Sequence, residues 1–380
     1  MPATGAWRER IVKIQHVDTI VTKIDLTFPV RIATKTLTHR YYIICSITTD
    51  QGVSGWGYCW GVPSVAHVIR DDLTPLLVGE DPFKTEFLWK KMYAALSVWG
   101  RRGISARALG AVDIALWDLK GKACGLPIHE IIGGYRTSVP AYYSGGYYPV
   151  RFETDREFIG YIDDEFGRYR EKGFKAFKMK IGGGSTALDL ARATKAREVI
   201  GPDSDLMLDA NNAWSPEQAI DMARRYEHLD IKWFEEPVAV DDIHGLARVK
   251  EKVSMPVAAG ENHATRWDFK EMIEKKAVDI IQGDPTLMGG ITEWLKLAGL
   301  ACSFGITLCP HWTHDVNVQV GAASPLVEIL EYFDLEEDIF NFGRLLQNPV
   351  KAKNGEISPP EGSGHGLVLD EKAVSRHRIM

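Results

Sequence analysis

The chain has 380 residues, of which 45% are hydrophobic and 25% charged, a composition typical of a globular protein long enough for two domains. Its formal net charge of −6 gives no basic surface of the kind that nucleic-acid binding requires. No apolar run approaches the roughly 18 residues of a membrane span and none opens the chain as in a signal peptide, so with five scattered cysteines and no CxxC pair we expect a cytoplasmic protein.

The N-terminal part of the chain predicts an antiparallel sheet followed by helices. Residues 11–22 and 41–49 alternate partly between apolar and polar side chains, as strands do. Residues 23–40 between them show no clear period, so we expect a loop. Residues 65–121 follow a helical pattern with apolar i, i+3, i+4 spacing. Residues 1–135 are therefore predicted to form an α+β domain.

Residues 52–66 interleave glycines with aromatic side chains. Gly55 and Gly57 alternate with Trp56 and Tyr58. One interpretation is a loop that presents aromatic side chains to a ligand. The other is a tight turn over the core, and the sequence does not choose between them.

From residue 139 onward, short apolar runs alternate with helical patterns, as in a parallel α/β barrel. The barrel is predicted over residues 136–339, and the tail, residues 340–380, is expected to pack back on the first domain. No amphipathic helix follows the last apolar run, so an imperfect barrel is expected. The predicted strands are residues 139–143, 176–181, 206–209, 232–235, 257–260, 280–282, 306–309 and 326–330, and the predicted helices include residues 188–200, 216–228, 267–275 and 291–304.

Three of these runs end in a carboxylate at equal spacing. Asp209, Glu235 and Glu261 are 26 residues apart, and a helical pattern fills each gap. Barrel chemistry is located at the carboxyl ends of the strands, so the three acids are expected to converge. Converging carboxylates repel one another unless a cation neutralises them, and oxygen ligands favour a hard ion such as Mg²⁺. Acids that merely cap the following helices are the simpler alternative.

Two lysines end the second predicted strand. The strand period of two places Lys178 and Lys180 on one face. If that face is the barrel interior, mutual repulsion and burial each lower the pKa of a lysine, which makes one of them usable as a base. A basic strand end exposed to solvent is the alternative.

The sixth, seventh and eighth strands end in an acid, a histidine and an acid. Asp284 can pair with His311, which would fix the imidazole tautomer and raise its basicity. His314 competes for this role but lies further into the loop, and a structural histidine is the alternative for His311. Glu331 could donate a hydrogen bond if it is buried and protonated.

The motifs KMK, DAN, EEP, GEN, QGDP, PHW and LEYF, at successive strand ends, resemble the mandelate racemase subgroup of the enolase superfamily. The resemblance implies an N-terminal α+β capping domain on a modified (β/α)7β TIM-type barrel. It also implies that residues 23–40 and 52–66 form capping loops that close the site and select the substrate. Members of this family are commonly homo-oligomers.

The resemblance implies a role for each candidate residue. Asp209, Glu235 and Glu261 correspond to the Mg²⁺ ligands. Lys180 corresponds to the base on one face of the substrate, and Lys178 corresponds to a neighbour that adjusts its pKa and touches the substrate carboxylate.

The remaining roles concern the opposite face and the substrate. His311, oriented by Asp284, corresponds to the acid or base on that face. Glu331 corresponds to the group that hydrogen-bonds the enediolate oxygen. Asn211 and Trp312 correspond to substrate contacts. Glu236 and Asn262 are candidates for supporting contacts, and strand alternation predicts that Glu236 points away from Glu235.

The activity implied is dehydration of a sugar acid, an aldonate or an aldarate. Removal of the proton α to the carboxylate gives a Mg²⁺-stabilised enediolate, and loss of the β-hydroxyl as water leaves a 2-keto-3-deoxy acid. A racemase or epimerase would use the same lysine and histidine. The cycloisomerase branch resembles this chain less, because it uses lysine where this chain has the His–Asp pair.

Two other classes of protein are less favoured. A metal hydrolase on this barrel usually needs an HxH motif at an early strand end, and the sequence has none there. A non-catalytic scaffold would not require the full set of acid, base and metal-binding residues.

Three basic residues are relevant to whether the substrate carries one carboxylate or two. Arg31, Lys35 and Arg151 could each meet a second carboxylate, which would favour a diacid. Each is equally compatible with a surface charge, so the sequence leaves the choice between monoacid and diacid open.

Overall fold

The computed structural model describes residues 12–380, which begin with an antiparallel sheet. Strands Ile14–Arg31, Thr36–Thr49 and Ser54–Trp60 are consecutive neighbours, and the short strand Tyr148–Pro149 pairs with the end of the first. The helical segments that follow the third strand are Ser64–His67, Val68–Leu73, Thr74–Leu77, Thr85–Leu96, Ile104–Cys124 and Ile128–Ile132.

The loop predicted for residues 23–40 is wrong, because most of this stretch belongs to a long hairpin. Alternation persists beyond the predicted strand end, since Ile24 is buried and Asp25 is exposed. A register shift between Asp25 and Val30 then interrupts the period, which concealed the strand in the sequence. Residue 11, the start of the predicted first strand, lies outside the described residues.

The glycine-rich stretch is a strand over Ser54–Trp60 and an irregular connection over residues 61–63, so the tight-turn interpretation is wrong. Strand Ser54–Trp60 lies directly on helix Ile104–Cys124. A Cβ at Gly57 would lie 2.5 Å from the carbonyl oxygen of Ala111 and 2.6 Å from the amide nitrogen of Ala115. The glycines therefore permit a strand–helix contact too close for any side chain.

We expect Gly57→Ala to lower the free energy of unfolding by about 1–3 kcal/mol, because the added methyl group must displace helix backbone. Gly160→Ala is the matched control, since a Cβ there meets no atom within 4 Å. The control should raise stability by about 0.4–1 kcal/mol. Denaturant unfolding followed by circular dichroism measures both variants, and wild-type stability of Gly57→Ala would contradict the close contact.

Eight parallel strands form the barrel part of the second sheet, which has nine strands in all. Neighbouring strands in the sheet follow one another in the chain, and the eighth pairs with the first. In chain order the strands are Val139–Gly145, Ala176–Lys180, Asp205–Asp209, Ile231–Glu235, Val257–Ala259, Ile280–Ile281, Thr307–Leu308 and Leu330–Tyr332.

The eighth strand contacts both of its neighbours and closes the barrel. Leu308 of the seventh strand donates its amide hydrogen bond to Leu326 and accepts one from Glu328, each at 3.1 Å. Residues 330–332 pair in parallel with the first strand. The predicted eighth strand, residues 326–330, therefore covers the part that pairs with the seventh strand but only Leu330 of the part that pairs with the first.

One helix of at least ten residues separates each pair of consecutive strands, and a four-residue helix, Pro285–Met288, also follows the sixth strand. After the last strand come two 3₁₀ turns, the short strand Glu356–Ile357 and the C-terminal helix Glu371–His377, so no barrel helix of that length follows it in the described residues. This confirms the predicted fold, a modified (β/α)7β TIM-type barrel with an N-terminal α+β capping domain. The position of the domain boundary near residue 135 stays a prediction. The helices are Asp155–Glu171, Thr186–Ile200, Pro216–Tyr226, Ile243–Lys252, Thr265–Glu274, Ile291–Phe304 and His314–Ala323.

The tail contacts both sheets. Strand Glu356–Ile357 pairs with the first barrel strand. At the end of the chain, the Val21 amide donates to the Met380 carbonyl oxygen and the Ile379 amide donates to the Val21 carbonyl oxygen, which attaches the tail to the first strand of the N-terminal sheet. None of the helices in residues 12–380 has both the length and the apolar composition needed to cross a bilayer.

Candidate active site

The register of the barrel strands aligns three candidate side chains in a row. Lys180 is the direct partner of Asp209, and Asp209 is the direct partner of Glu235. All three residues lie at the carboxyl ends of their strands, so their side chains meet at one end of the barrel.

Glu261 completes a cluster of three carboxylates with Asp209 and Glu235. One oxygen of each lies within 4.8 Å of the others. Asp209 and Glu235 are fully buried, and the Glu261 side chain is 13% exposed. Three oxygen donors at this separation fit one hard divalent ion, which is the donor set that Mg²⁺ takes.

The charge around this cluster also fits a bound cation. Within residues 12–380, six carboxyl groups at this end of the barrel lie beside three basic side chains of the barrel itself. Like charges at short range disfavour ionisation unless a cation offsets them. The acids are Asp209, Glu235, Glu236, Glu261, Asp284 and Glu331, and the basic residues are Lys178, Lys180 and His311.

Neighbouring polar groups fix the orientation of the cluster. Asn211 donates its amide to Asp209 at 2.8 Å. Glu235 accepts hydrogen bonds from Gln282 at 2.7 Å and from the Trp233 indole at 2.9 Å. Gln282 is not among the predicted site residues, although a polar side chain after the apolar pair of the motif IIQGDP is a signal for it.

Lys178 and Lys180 are buried beside these carboxylates. Lys178 Nζ lies 2.5 Å from Glu235 and 2.8 Å from Glu331, and Lys180 forms a short ion pair with Asp209. The protein's own side chains do not lower the pKa of Lys180, as the sequence predicted, but raise it. Burial is the largest single effect and lowers this pKa, but Asp209, Tyr147 and Glu331 together outweigh burial and the smaller repulsion from Lys178, and the pKa lies above its usual range.

The same lysines act on the acids. Burial raises the pKa of Asp209, but Lys180 and Lys178 together outweigh it, and the pKa of Asp209 lies below its usual range. Burial dominates at Glu235 and raises its pKa to about 7 despite the contact with Lys178.

His311 lies between three carboxylates. Its Nε2 is 3.1 Å from Glu261 and 3.9 Å from Glu331, and its Nδ1 is 3.8 Å from Asp284 Oδ2. Burial lowers the pKa of His311, but these acids outweigh burial and raise it to about 9. These acids therefore favour the protonated imidazole, the form that a proton donor requires.

Asp284 is held rigidly behind His311. Its Oδ1 accepts hydrogen bonds from the Thr286 amide at 2.7 Å and from the Thr313 hydroxyl at 2.9 Å. Its Oδ2 and the His311 Nδ1 are both buried without a hydrogen-bond partner in the described residues. The two atoms face each other, so the predicted pair is present at slightly more than hydrogen-bond distance.

Glu331 is buried, which meets one of the two conditions for donating a hydrogen bond, but its neighbours favour the ionised carboxylate. It accepts hydrogen bonds from Ser144 at 2.7 Å and from the Trp312 amide at 2.8 Å, and it is paired with Lys178. Burial raises its pKa, but Lys178 and His311 outweigh burial and hold the pKa well below its usual range. Among these groups Glu331 accepts hydrogen bonds and does not donate.

Glu236 was predicted from strand alternation to point away from Glu235, but it lies beyond the end of the strand, where alternation does not apply. The fourth strand ends at Glu235, and Glu236 has a left-handed backbone with φ of 38°. Its carboxylate accepts hydrogen bonds from Asn212 at 2.9 Å and Asn262 at 3.1 Å, and Asn262 also donates to Glu261. Glu236 therefore supports the cluster from its edge.

Left-handed conformations recur at these strand ends. Asn211 has φ of 42° and Trp312 has φ of 66°. Such conformations are costly for residues other than glycine, and they persist where the surrounding structure holds side chains in a particular direction.

A single cavity joins the barrel residues to the N-terminal domain. The barrel contributes five of the predicted site residues, and the N-terminal domain contributes five residues that include a lysine and an arginine. The lining residues are Lys180, Asn211, Glu261, His311 and Trp312 from the barrel, Tyr147 from the segment after its first strand, and Ile32, Lys35, Leu37, Arg40 and Trp60 from the N-terminal sheet.

Three other candidates lie elsewhere. His314 packs against Tyr332 and Phe340 at ring separations of 4.9 and 4.8 Å, outside this cavity lining. Arg31 lies over the Tyr148 ring, and Arg151 lies over the Phe28 ring, so of the three basic residues considered for a second carboxylate only Lys35 lines the cavity.

Comparison with known proteins identifies the family. Residues 15–133 match the family model for the mandelate racemase / muconate lactonizing enzyme N-terminal domain, and residues 162–373 match the enolase C-terminal domain-like model. The chain belongs to the mandelate racemase subgroup of the enolase superfamily, as its motifs predicted.

Two similar proteins of known activity are a dehydratase and a cycloisomerase. The chain is 36% identical to an arabinonate dehydratase of Saccharolobus solfataricus, over 88% of this chain and 90% of the relative. It is 35% identical to a D-galactarolactone cycloisomerase of Agrobacterium fabrum, over 97% of this chain and 99% of the relative.

A solved structure of this superfamily has the same fold over nearly the whole chain. The crystal structure of a racemase from Streptomyces coelicolor with bound magnesium has a TM-score of 0.89 and 31% identity, covering 96% of this chain and all of that one. The chain is an enzyme of this superfamily, and the predicted lyase class agrees with the dehydratase among its relatives.

Proposed function

We propose that this enzyme is a Mg²⁺-dependent dehydratase of sugar acids. The observation that carries the proposal is that Lys180, His311 and the carboxylate Glu261 line one cavity. A base, an acid and a metal ligand are thus presented to the same bound molecule, which is what removal of an α-proton and a β-hydroxyl requires. The relationship to an arabinonate dehydratase supports this reaction.

The chain's own residues suit the two proton transfers. Neutral Lys180 takes the α-proton, and the protonated His311, held by Asp284, gives a proton to the departing β-hydroxyl, which leaves as water. The enol that remains becomes a 2-keto-3-deoxy acid by tautomerisation. Bound Mg²⁺, held by Asp209, Glu235 and Glu261, would neutralise the substrate carboxylate and engage the Asp209 charge that otherwise keeps Lys180 protonated.

Lys178, Glu331, Asn211 and Trp312 complete the proposed site. Buried Lys178 adds positive charge where the substrate carboxylate binds, and Glu331 fixes both Lys178 and the backbone of Trp312. Asn211 and Trp312 line the cavity and are proposed to contact the substrate.

A cycloisomerase is the second candidate. The 35% identity to a D-galactarolactone cycloisomerase over nearly the whole chain favours it. In this chain the same residues would remove the α-proton and expel a ring oxygen, so that the product is an isomer of the substrate. A racemase or epimerase would return the proton to carbon and also give an isomer.

A panel of aldonic, aldaric and lactone substrates tests the proposal, with products identified by mass spectrometry and by their keto group. We expect an acid of the panel to lose one water and yield a 2-keto-3-deoxy acid. A product with unchanged mass and a new keto group would favour the cycloisomerase, and an α-epimer without a keto group would favour the racemase.

A further inference from the structure

Three cations surround one tryptophan on the side of the cavity formed by the N-terminal domain. Lys35 Nζ lies 5.5 Å from the centre of the Trp60 ring, and the guanidinium carbons of Arg40 and Arg107 lie 5.4 and 4.8 Å from it. Lys35 comes from the hairpin turn, Arg40 from the second strand and Arg107 from helix Ile104–Cys124. Three separate elements thus direct positive charge to one point.

None of these cations forms an ion pair or a hydrogen bond with a carboxylate within residues 12–380, although Glu261 and Asp284 lie near enough to attract Lys35 and Arg107. Arg40 is 3% exposed, yet its Nε donates only to the Ile339 carbonyl oxygen at 3.2 Å. Arg107 donates to the Trp60 carbonyl oxygen at 2.5 Å. Buried charges are costly unless they are paired, so two unpaired guanidinium groups beside a cavity indicate a site for an anion.

Burial and repulsion among these three positive charges lower the pKa of Lys35. The residue as a whole is exposed, but burial of its ammonium end and then the proximity of Arg40 lower the pKa of Lys35. An anion bound among the three cations would relieve this repulsion. The Lys35 ammonium makes no hydrogen bond or ion pair in the described residues, so it can contact a ligand.

The cation cluster faces the reacting groups across the same cavity. Trp60 lies 5.6 Å from Trp312, and the Trp312 ring lies 5.8 Å from His311. A ligand with one carboxylate at the acidic cluster and its chain beside His311 would place its far end near Lys35 and Arg40.

We propose that Lys35 and Arg40, with Arg107 behind them, bind the second carboxylate of a dicarboxylic sugar acid, so that the substrate class is aldarate and not aldonate. The inference rests on the proposed function, because it assumes that the first carboxylate of a sugar acid binds at the strand ends. It assigns specificity to residues of the hairpin that the sequence predicted to be a loop.

The experiment compares aldonates and aldarates with the same configuration at every shared carbon, such as gluconate with glucarate and galactonate with galactarate. Affinity is measured by calorimetry with Mg²⁺ present, and turnover is measured by keto-acid formation. We expect the preferred aldarate to bind at least about tenfold more tightly than its matched aldonate, since a paired carboxylate adds an ion pair in a partly buried site. The phosphate ester of an aldonate is the second anion tested.

Lys35→Met locates the subsite. It should raise the Kd and KM for the aldarate about tenfold, and Arg31→Met is the matched control because Arg31 lies on the same hairpin but over Tyr148, outside the cavity lining. Tighter binding of the aldonate or of its phosphate ester, or an unchanged aldarate Kd in Lys35→Met, would overturn the inference. Absence of keto acid from every compound would contradict the proposed function, and the binding measurements would still decide the subsite.

Discussion

Replacing His311 with asparagine is expected to separate proton exchange from elimination. Asparagine keeps most of the side-chain volume but cannot give a proton to the leaving hydroxyl. In D₂O the His311→Asn variant should still exchange the α-proton of the substrate through Lys180. Formation of keto acid should fall by roughly 10²–10⁴, the contribution of a general acid. Nuclear magnetic resonance follows both processes in one sample.

His314→Asn is the matched control for this variant. His314 is a buried histidine three residues away that packs against Tyr332 and Phe340, and burial lowers its pKa to about 3. Its replacement should lower exchange and elimination in equal proportion, through the folded fraction alone. If His311→Asn also loses exchange together with elimination, then His311 is the base, and an elimination carried out by this histidine alone becomes the better mechanism.

Lys180→Met complements the histidine variant. It should lose both exchange and elimination, because no other basic group of the proposed mechanism takes the α-proton. Lys175→Met, at the exposed approach to the same strand, should retain both. Retained exchange in Lys180→Met would assign the α-proton to another residue.

The strand-end residues could be predicted from the sequence because barrel geometry repeats. A strand, an acid and a helix recurring every 26 residues require that Asp209, Glu235 and Glu261 share one end of the sheet. The direct pairing of Lys180 with Asp209 follows from the same register. Order along the chain therefore determined position in space for the catalytic half of the site.

The other half of the cavity depends on tertiary packing that no local pattern encodes. Arg40 lies in a strand whose partner is interrupted by a register shift, and its neighbour Trp60 belongs to a different strand. Glu236 points towards the cluster because its backbone is left-handed, which strand alternation cannot predict. The pKa of Glu331 is lowered by Lys178 and His311, which come from two other strand ends and could not be placed beside it from the local sequence.

Chelation of divalent ions is expected to abolish turnover, and added Mg²⁺ is expected to restore it. The acids at this end of the barrel outnumber the basic groups, so one divalent ion bound by Asp209, Glu235 and Glu261 would also stabilise the fold. At a Mg²⁺ concentration of about 1,000 times Kd, binding to the folded state adds about 4 kcal/mol to the free energy of unfolding. A rise in Tm with Mg²⁺ therefore measures binding without reference to activity.

Glu261→Gln should remove most of this Mg²⁺-dependent rise in Tm and lower kcat by several orders of magnitude, because it deletes one anionic ligand of three. The glutamine has nearly the same shape, so the loss reports charge and coordination and not packing. Glu328→Gln is the control, since Glu328 is half-exposed and pairs with Lys232 away from the cavity.

Full turnover in chelator-treated protein, or a Glu261→Gln variant with the wild-type response to Mg²⁺, would mean that the three acids do not form the metal site. The convergence of their oxygens would then need a different explanation, and Lys178 and Lys180, which are paired with Glu235 and Asp209, would supply it as permanent counter-ions.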